Sequence, residues 1–232
     1  MHLAHSFDPL WLQTHLPDGV DGVMKFTRVW SGQLPSTGNK PKPKDVAHIR
    51  SDLSLQLEYL WQTHRAIQEL KEYGYVVRPG STNTIIDQSA TSRQIAQRAP
   101  SHMMSLIDWI TVDGHRYQPL VRSSLDLNCA LSILFLRQDD PGALITQGGD
   151  LDGRMKTLLD ALRMPSSAEQ EAGGAPSSDT YCIMQSDTLV SGMEIETERL
   201  LVPTSSHPHE AQIVTEVSLR ILRVHQGNYC LL

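Results

Sequence analysis

The densest chemistry in the sequence lies in Asp150-Leu-Asp152-Gly-Arg-Met-Lys156-Thr-Leu-Leu-Asp160, with a further acid, Asp187, following a polar stretch. Asp150 and Asp152 are two residues apart, so on an extended segment both carboxylates leave the same face and can share one ion. If a helix starts there, Lys156 falls one turn beyond Asp152. Two acids on one face and a third from a separate hairpin suit a hard cation. Magnesium takes oxygen ligands and keeps waters and substrate phosphate oxygens in its remaining positions. Such a centre can activate water and steady the leaving oxygen of a phosphodiester, and a lysine beside it can stabilise the charge that develops. The same residues also have a plain structural account, in which Asp152 caps a helix, Asp160 and Arg163 form a solvated pair, and Asp150 and Asp187 sit in turns. Spacing alone leaves both accounts open.

The elements that must position these residues can be read from periodicity. Met24 to Trp30 alternates bulky and polar residues and predicts a strand with one face on a core, after an irregular lead-in. Gly32 to Lys44 holds three prolines among Lys40, Lys42 and Lys44, a composition that blocks helix and central strand and turns the lysines outward. From Asp45, a candidate N-cap, apolar residues recur at helical spacing through Ile49, Leu53, Leu57, Trp61, Ile67 and Leu70. This predicts one long helix ended by Gly74. Pro79 to Pro100 reads as a loop with a short helix at Ser92 to Gln97, and Asp113-Gly114 as a turn between two short strands. Leu127 to Leu136 predicts a buried strand.

The acidic motif then enters a helix over Gly153 to Met164 that faces Met155, Leu158, Leu159 and Leu162 inward and Arg154 and Arg163 outward, with Pro165 as its stop. Ser166 to Asp179 has little to bury and reads as a flexible loop. Tyr181 to Met184, Ile195 to Val202 and Ile213 to Val224 predict three more strands. The fold class expected is α+β, with a mixed or antiparallel sheet and helices packed on one face. Residues 1–122 form an extension that carries the basic loop and long helix and packs on the same domain as a core at 123–232.

Composition bounds the function further. Of 232 residues, 40% are hydrophobic and 20% charged, ordinary values for a globular chain. No apolar run is long enough to span a bilayer, and the start of the chain lacks the pattern of a secretory signal, so a cytoplasmic protein is expected. Three dispersed cysteines, Cys129, Cys182 and Cys230, fit reduced packed thiols better than a disulfide frame or a zinc site. A formal charge of −6 argues against a general nucleic-acid coat, yet permits a nucleic-acid enzyme whose cations are gathered locally. The cluster Lys40, Lys42, Lys44, His48 and Arg50 suits phosphate contact, which is sequence-independent and salt-sensitive, and has an ordinary solvated loop as its alternative. His207, His209 and Glu210 lie in a proline turn, and His102 and His115 flank an apolar segment; both groups read as structural. No Gly-rich phosphate loop, His-Glu-x-x-His or Gly-x-Ser-x-Gly occurs.

Taken together, Asp150-Leu-Asp152, Lys156, Asp160-Ala-Leu and the later Gln185-Ser-Asp187-Thr-Leu-Val190 resemble the signature of the RusA-like endodeoxyribonucleases, the Holliday junction resolvase family. That resemblance covers roughly Leu127 to Val224. It implies that Asp150, Asp152 and Asp187 bind Mg²⁺, with Mn²⁺ as an alternative, that Lys156 assists catalysis and that Asp160 is structural. It further implies a homodimer cutting branched DNA; separately, from their charge, Lys40, Lys42, Lys44, Arg50 and Arg154 are expected on the DNA. Two positions depart from the family pattern: Gly153 stands where the family has Asn, and Ser186-Asp187 replaces an acidic pair. These departures motivate a second reading, a non-catalytic DNA-binding or protein-interaction member of the same fold.

Overall fold

Alternation along four strands sets the main sheet. The computed structural model describes residues 21–35, 43–81, 90–138, 151–201 and 210–232. Asp150, Lys40, Lys42, His207 and His209, together with the lead-in over residues 1–20, lie outside them. Strand β1 (Asp21–Gln33) pairs antiparallel with the strand at Glu210–Ile221, which pairs antiparallel with that at Leu127–Arg137; this last pairs parallel with Val190–Arg199. Every second residue of Leu127–Arg137 is buried, from Leu127 to Arg137, as are Ala211, Ile213, Thr215, Val217 and Leu219 on its neighbour. One face therefore meets the core and the other meets solvent, the pattern of a half-covered sheet. The edge strand at Val190–Arg199 is short of apolar residues and carries Glu194, Glu196 and Glu198, charges that discourage pairing with another chain.

Helix α1 (Pro43–Thr63) begins with proline, whose missing N–H costs nothing in the first turn. Asp45 lies inside that first turn rather than at the cap. The single long helix expected from periodicity is two: α1 ends at Thr63 and α2 (Arg65–Tyr73) restarts after His64, which is extended at φ −74° and ψ 124°. Side chains of α2 satisfy the exposed end of α1, since Gln68 Nε2 and Lys71 Nζ each donate to the Trp61 carbonyl at 2.6 Å. Apolar periodicity continues across the break, so hydrophobic spacing alone cannot register it.

The chain then forms β2 (Tyr75–Val77), α3 (Ser92–Arg98), β3 (Met103–Ser105), β4 (Ile110–Val112) and β5 (His115–Val121). Asp113 and Gly114 have φ of 47° and 82°, which both central positions of the tight β4–β5 hairpin require. Counting onward, the Leu127–Arg137 strand is β6, followed by α4 (Leu151–Leu162), α5 (Ser167–Gly173), β7 (Thr180–Met184), β8 (Val190–Arg199) and β9 (Glu210–Ile221). Strand β7 runs parallel to β5 and takes a hydrogen bond to α1, the Tyr181 N–H donating to Ser54 Oγ at 2.8 Å.

Residues 166–179, expected to be a flexible loop, contain α5. Ser166 and Glu169 form a capping box, each side chain meeting the other's backbone N–H, and this nucleates a helix that composition alone argued against. A single hydrophobic cluster joins Met24, Leu57 and Trp61 from the N-terminal part with Leu131, Leu158 and Ile213, so the core does not divide near residue 122. The architecture is α+β with mixed and antiparallel sheets. Among the described residues no helix is long and apolar enough to cross a membrane.

Candidate functional site

Helix α4 carries the acidic motif. Its buried stripe, Met155, Leu158, Ala161 and Leu162, fixes its rotation. Asp152 and Lys156 are consequently exposed, four residues apart on one face. Asp152 stands in the first turn, where a carboxylate also complements the positive end of the helix dipole. On the side of the helix turned away from that face, Arg154 Nη1 donates to the Leu34 carbonyl, and Thr157 Oγ1 donates to the Pro35 carbonyl at 2.9 Å. Leu34 and Pro35 lead directly into the segment that carries Lys40 and Lys42, so α4 holds the root of the basic loop. Arg154, expected on DNA, is half-buried and commits one guanidinium nitrogen to this anchor.

Arg50 was expected on a basic surface and is elsewhere. It is 7% exposed, and its Nε donates to the Arg163 carbonyl at 2.9 Å while Nη2 donates to the Asp160 carbonyl at 2.5 Å. It caps the C-terminal end of α4, where orphan carbonyls and the negative end of the dipole favour a cation. Burial lowers its pKa. A period-3.6 reading places Arg50 beside Ile49 and Leu53 on the core side of α1, and that phase was the available signal. Lys44 remains exposed in the first turn of α1.

Asp187 and Asp160 meet at the opposite end of α4 from Asp152. Arg163, expected to point outward, is a half-buried hub. It bonds Asp160 Oδ1 through Nη2 at 2.7 Å and Glu169 in bidentate fashion at 2.6 and 2.9 Å, with Asp187 4.0 Å from its Nε. Strand β7 brings Asp187 there, since the Met164 N–H donates to the Met184 carbonyl at 3.0 Å. Asp152 and Leu162, the second and last residues of α4, are roughly 15 Å apart along its axis at the usual helical rise. The structure therefore brings together Asp160, Glu169 and Asp187 about Arg163, and Asp152 with Lys156. Asp160 pairs with Arg163, Oδ1 to Nη2, at 2.7 Å.

As donors, Asp152 and Asp187 are exposed carboxylates of the kind a hard cation takes. Among the described residues no three His, Cys, Asp or Glu side chains converge to hold a metal. Asp150, the third carboxylate of the proposed set, lies outside the described residues.

Comparison with known proteins supplies no family. No protein-family model matches the chain, and no curated protein or solved structure is similar to it at a significant level. The functional reading therefore rests on residues and geometry.

Glu169 is the member of the Arg163 cluster that the loop reading missed, although Ser166-x-x-Glu169 was its sequence signature. Its hydrogen bonds from Arg163 pull its pKa from the ordinary 4.5 down to about 2. A carboxyl depressed on folding stabilises the native state above its unfolded pKa, and that contribution is lost as pH falls through the folded value. The stability difference between wild type and Glu169→Gln is therefore expected to be full above pH about 4.5 and to vanish by pH about 2. Thermal melts of both proteins across that window check it; a difference that stays constant with pH would remove the Arg163 pairing as its source.

Proposed function

We propose that this chain is a metal-dependent, structure-selective endodeoxyribonuclease of the RusA-like kind, acting as a homodimer on branched DNA such as the Holliday junction. The observation that carries this reading is the arrangement on α4. Asp152 and Lys156 face solvent one turn apart, immediately after Asp150 in sequence, on the helix that anchors the root of the lysine-rich segment. Asp150 and Asp152 would hold Mg²⁺ or Mn²⁺, which would supply an activated water and charge neutralisation at a phosphodiester; Asp187, set beside Arg163 at the far end of α4, does not fit the same ion, whose ligands lie at about 2.1 Å. Lys156 reaches a phosphate oxygen beside the acids, and its ammonium favours the more negative transition state over the ground state. Lys40, Lys42 and Lys44 take flanking backbone phosphates without reading sequence.

A second reading has its own support. Asp187 faces Arg163 rather than Asp152, and Gly153 and Ser186 replace residues that the family pattern uses. A non-catalytic DNA-binding or protein-interaction member of the same fold would retain the basic segment and dispense with an assembled ion site.

The deciding experiment incubates purified protein with a synthetic four-way junction in Mg²⁺, in Mn²⁺ and in EDTA, beside a linear duplex of the same sequence. Metal-dependent nicking confined to the junction is expected. Junction binding without nicking in either metal would sink the nuclease reading and leave the second. Neither binding nor nicking would remove both.

A further inference from the structure

A cleft of about 700 Å³ lies between β1 and the junction of α1 with α2, far from the acidic motif in sequence and lined by residues no nuclease step uses. Its volume falls in the range of small-molecule sites. Arg28, on its wall, is 4% exposed, and its Nε and Nη1 have no hydrogen-bond partner among the described residues. Burial pushes its guanidinium down to about 9, and the offset comes from the Cys182 thiol rather than from any carboxylate. A buried cation without a counter-charge is unfavourable, and an anion within reach would relieve it.

A second feature points the same way. His64 and Arg65, also on the wall, are the N-cap and first residue of α2, a nine-residue helix. The His64 side chain makes no capping bond, and its Nδ1 is buried without a partner among the described residues. The first N–H groups of a helix lack intrahelical acceptors and carry the positive end of its dipole, which favours carboxylate or phosphate. The remaining wall is largely apolar, with Phe26, Leu60 and the Tyr59 ring.

We propose that this cleft binds a small organic anion, a carboxylate or phosphate on an apolar body, with its head against Arg28 and the N-terminus of α2 and its body against Phe26, Tyr59 and Leu60. Strand periodicity explains why Arg28 is present at cost. It occupies an inward position between Phe26 and Trp30, where packing alone would select an apolar residue.

The test titrates the full chain with 1-anilinonaphthalene-8-sulfonate, an aromatic anion whose fluorescence rises on burial, beside Arg28→Met and Thr63→Glu. Thr63 is an exposed wall residue, so a carboxylate there repels the probe without touching the core. Wild type is expected to bind at one saturable site, both variants about tenfold or more weakly. The uncharged analogue N-phenyl-1-naphthylamine should bind all three alike. Displacement by octanoate supports a carboxylate ligand, and displacement by inorganic phosphate a phosphate one. Non-saturable binding, equal affinity in all three proteins, displacement by neither competitor, or displacement by junction DNA would overturn the proposal. Should Arg28→Met fail to fold, Thr63→Glu decides alone.

Discussion

Asp152→Asn is expected to lower metal-dependent nicking of a four-way junction by roughly a hundredfold to a thousandfold, since a carboxylate ligand contributes several kcal/mol of transition-state stabilisation through the ion and each 1.36 kcal/mol is tenfold. The substitution keeps size and removes charge. Asp152 is exposed in the first turn of α4, so folding should survive, with at most a few tenths to about 1 kcal/mol lost from the dipole interaction. Junction affinity should hold or rise, because a negative charge near phosphates is gone. Lys156→Met should cost about a hundredfold in rate with little change in the melt. Asp187→Asn separates the two accounts of that acid. An unchanged rate is expected from its place beside Arg163 at the far end of α4, and a rate loss equal to that of Asp152→Asn would contradict that placement. Single-turnover cleavage with saturating Mg²⁺ reads all three, and an Asp152→Asn protein that cuts at the wild-type rate would end the proposed role of the acidic motif.

The second large effect contrasts two buried arginines. Arg50→Met is expected to destabilise the fold by about 2 to 3 kcal/mol, because two half-buried carbonyls at the end of α4 lose their charged donors. For a chain of this length that is roughly a 5 to 10 °C fall in the melting midpoint. Arg28→Met should act with the opposite sign. With no acceptor at Nε or Nη1 to lose, removing the charge is expected to stabilise the ligand-free protein by about 1 to 3 kcal/mol. Differential scanning calorimetry of the pair gives the comparison in one measurement. A fall in both midpoints would mean that Arg28 has a structural role.

The two arginines also show what sequence does and does not carry. Both stand at core phase, Arg28 within an alternating strand and Arg50 within a helical stripe, so their burial follows from period alone. Their partners do not. Arg50 meets the end of α4 only because α1 and α4 pack together across more than a hundred residues of chain, and no local pattern encodes that meeting. The break at His64 was equally hidden, since α2 keeps the apolar phase of α1 while tertiary hydrogen bonds from Gln68 and Lys71 close the gap. Helix α5 is the reverse case. Its capping box was written in Ser166 and Glu169, and the low apolar content of the stretch obscured it.

For the acidic motif, the sequence by itself determined the chemistry: which carboxylates and which lysine are available, and, through the apolar stripe of α4, that Asp152 and Lys156 share an exposed face. Helical periodicity is a local property, and a few residues suffice to specify it. Which acids come within reach of one another is a long-range property set by strand pairing and helix packing. Only the tertiary structure placed Asp187 beside Arg163 at the far end of the helix, and bound the root of the lysine-rich segment to α4 through Arg154 and Thr157, on the side turned away from Asp152 and Lys156. Arg28 at the wall of a cleft, with Nε and Nη1 unpartnered among the described residues, belongs to the same class, since the lack of a partner depends on neighbours in space and not on any residue alone.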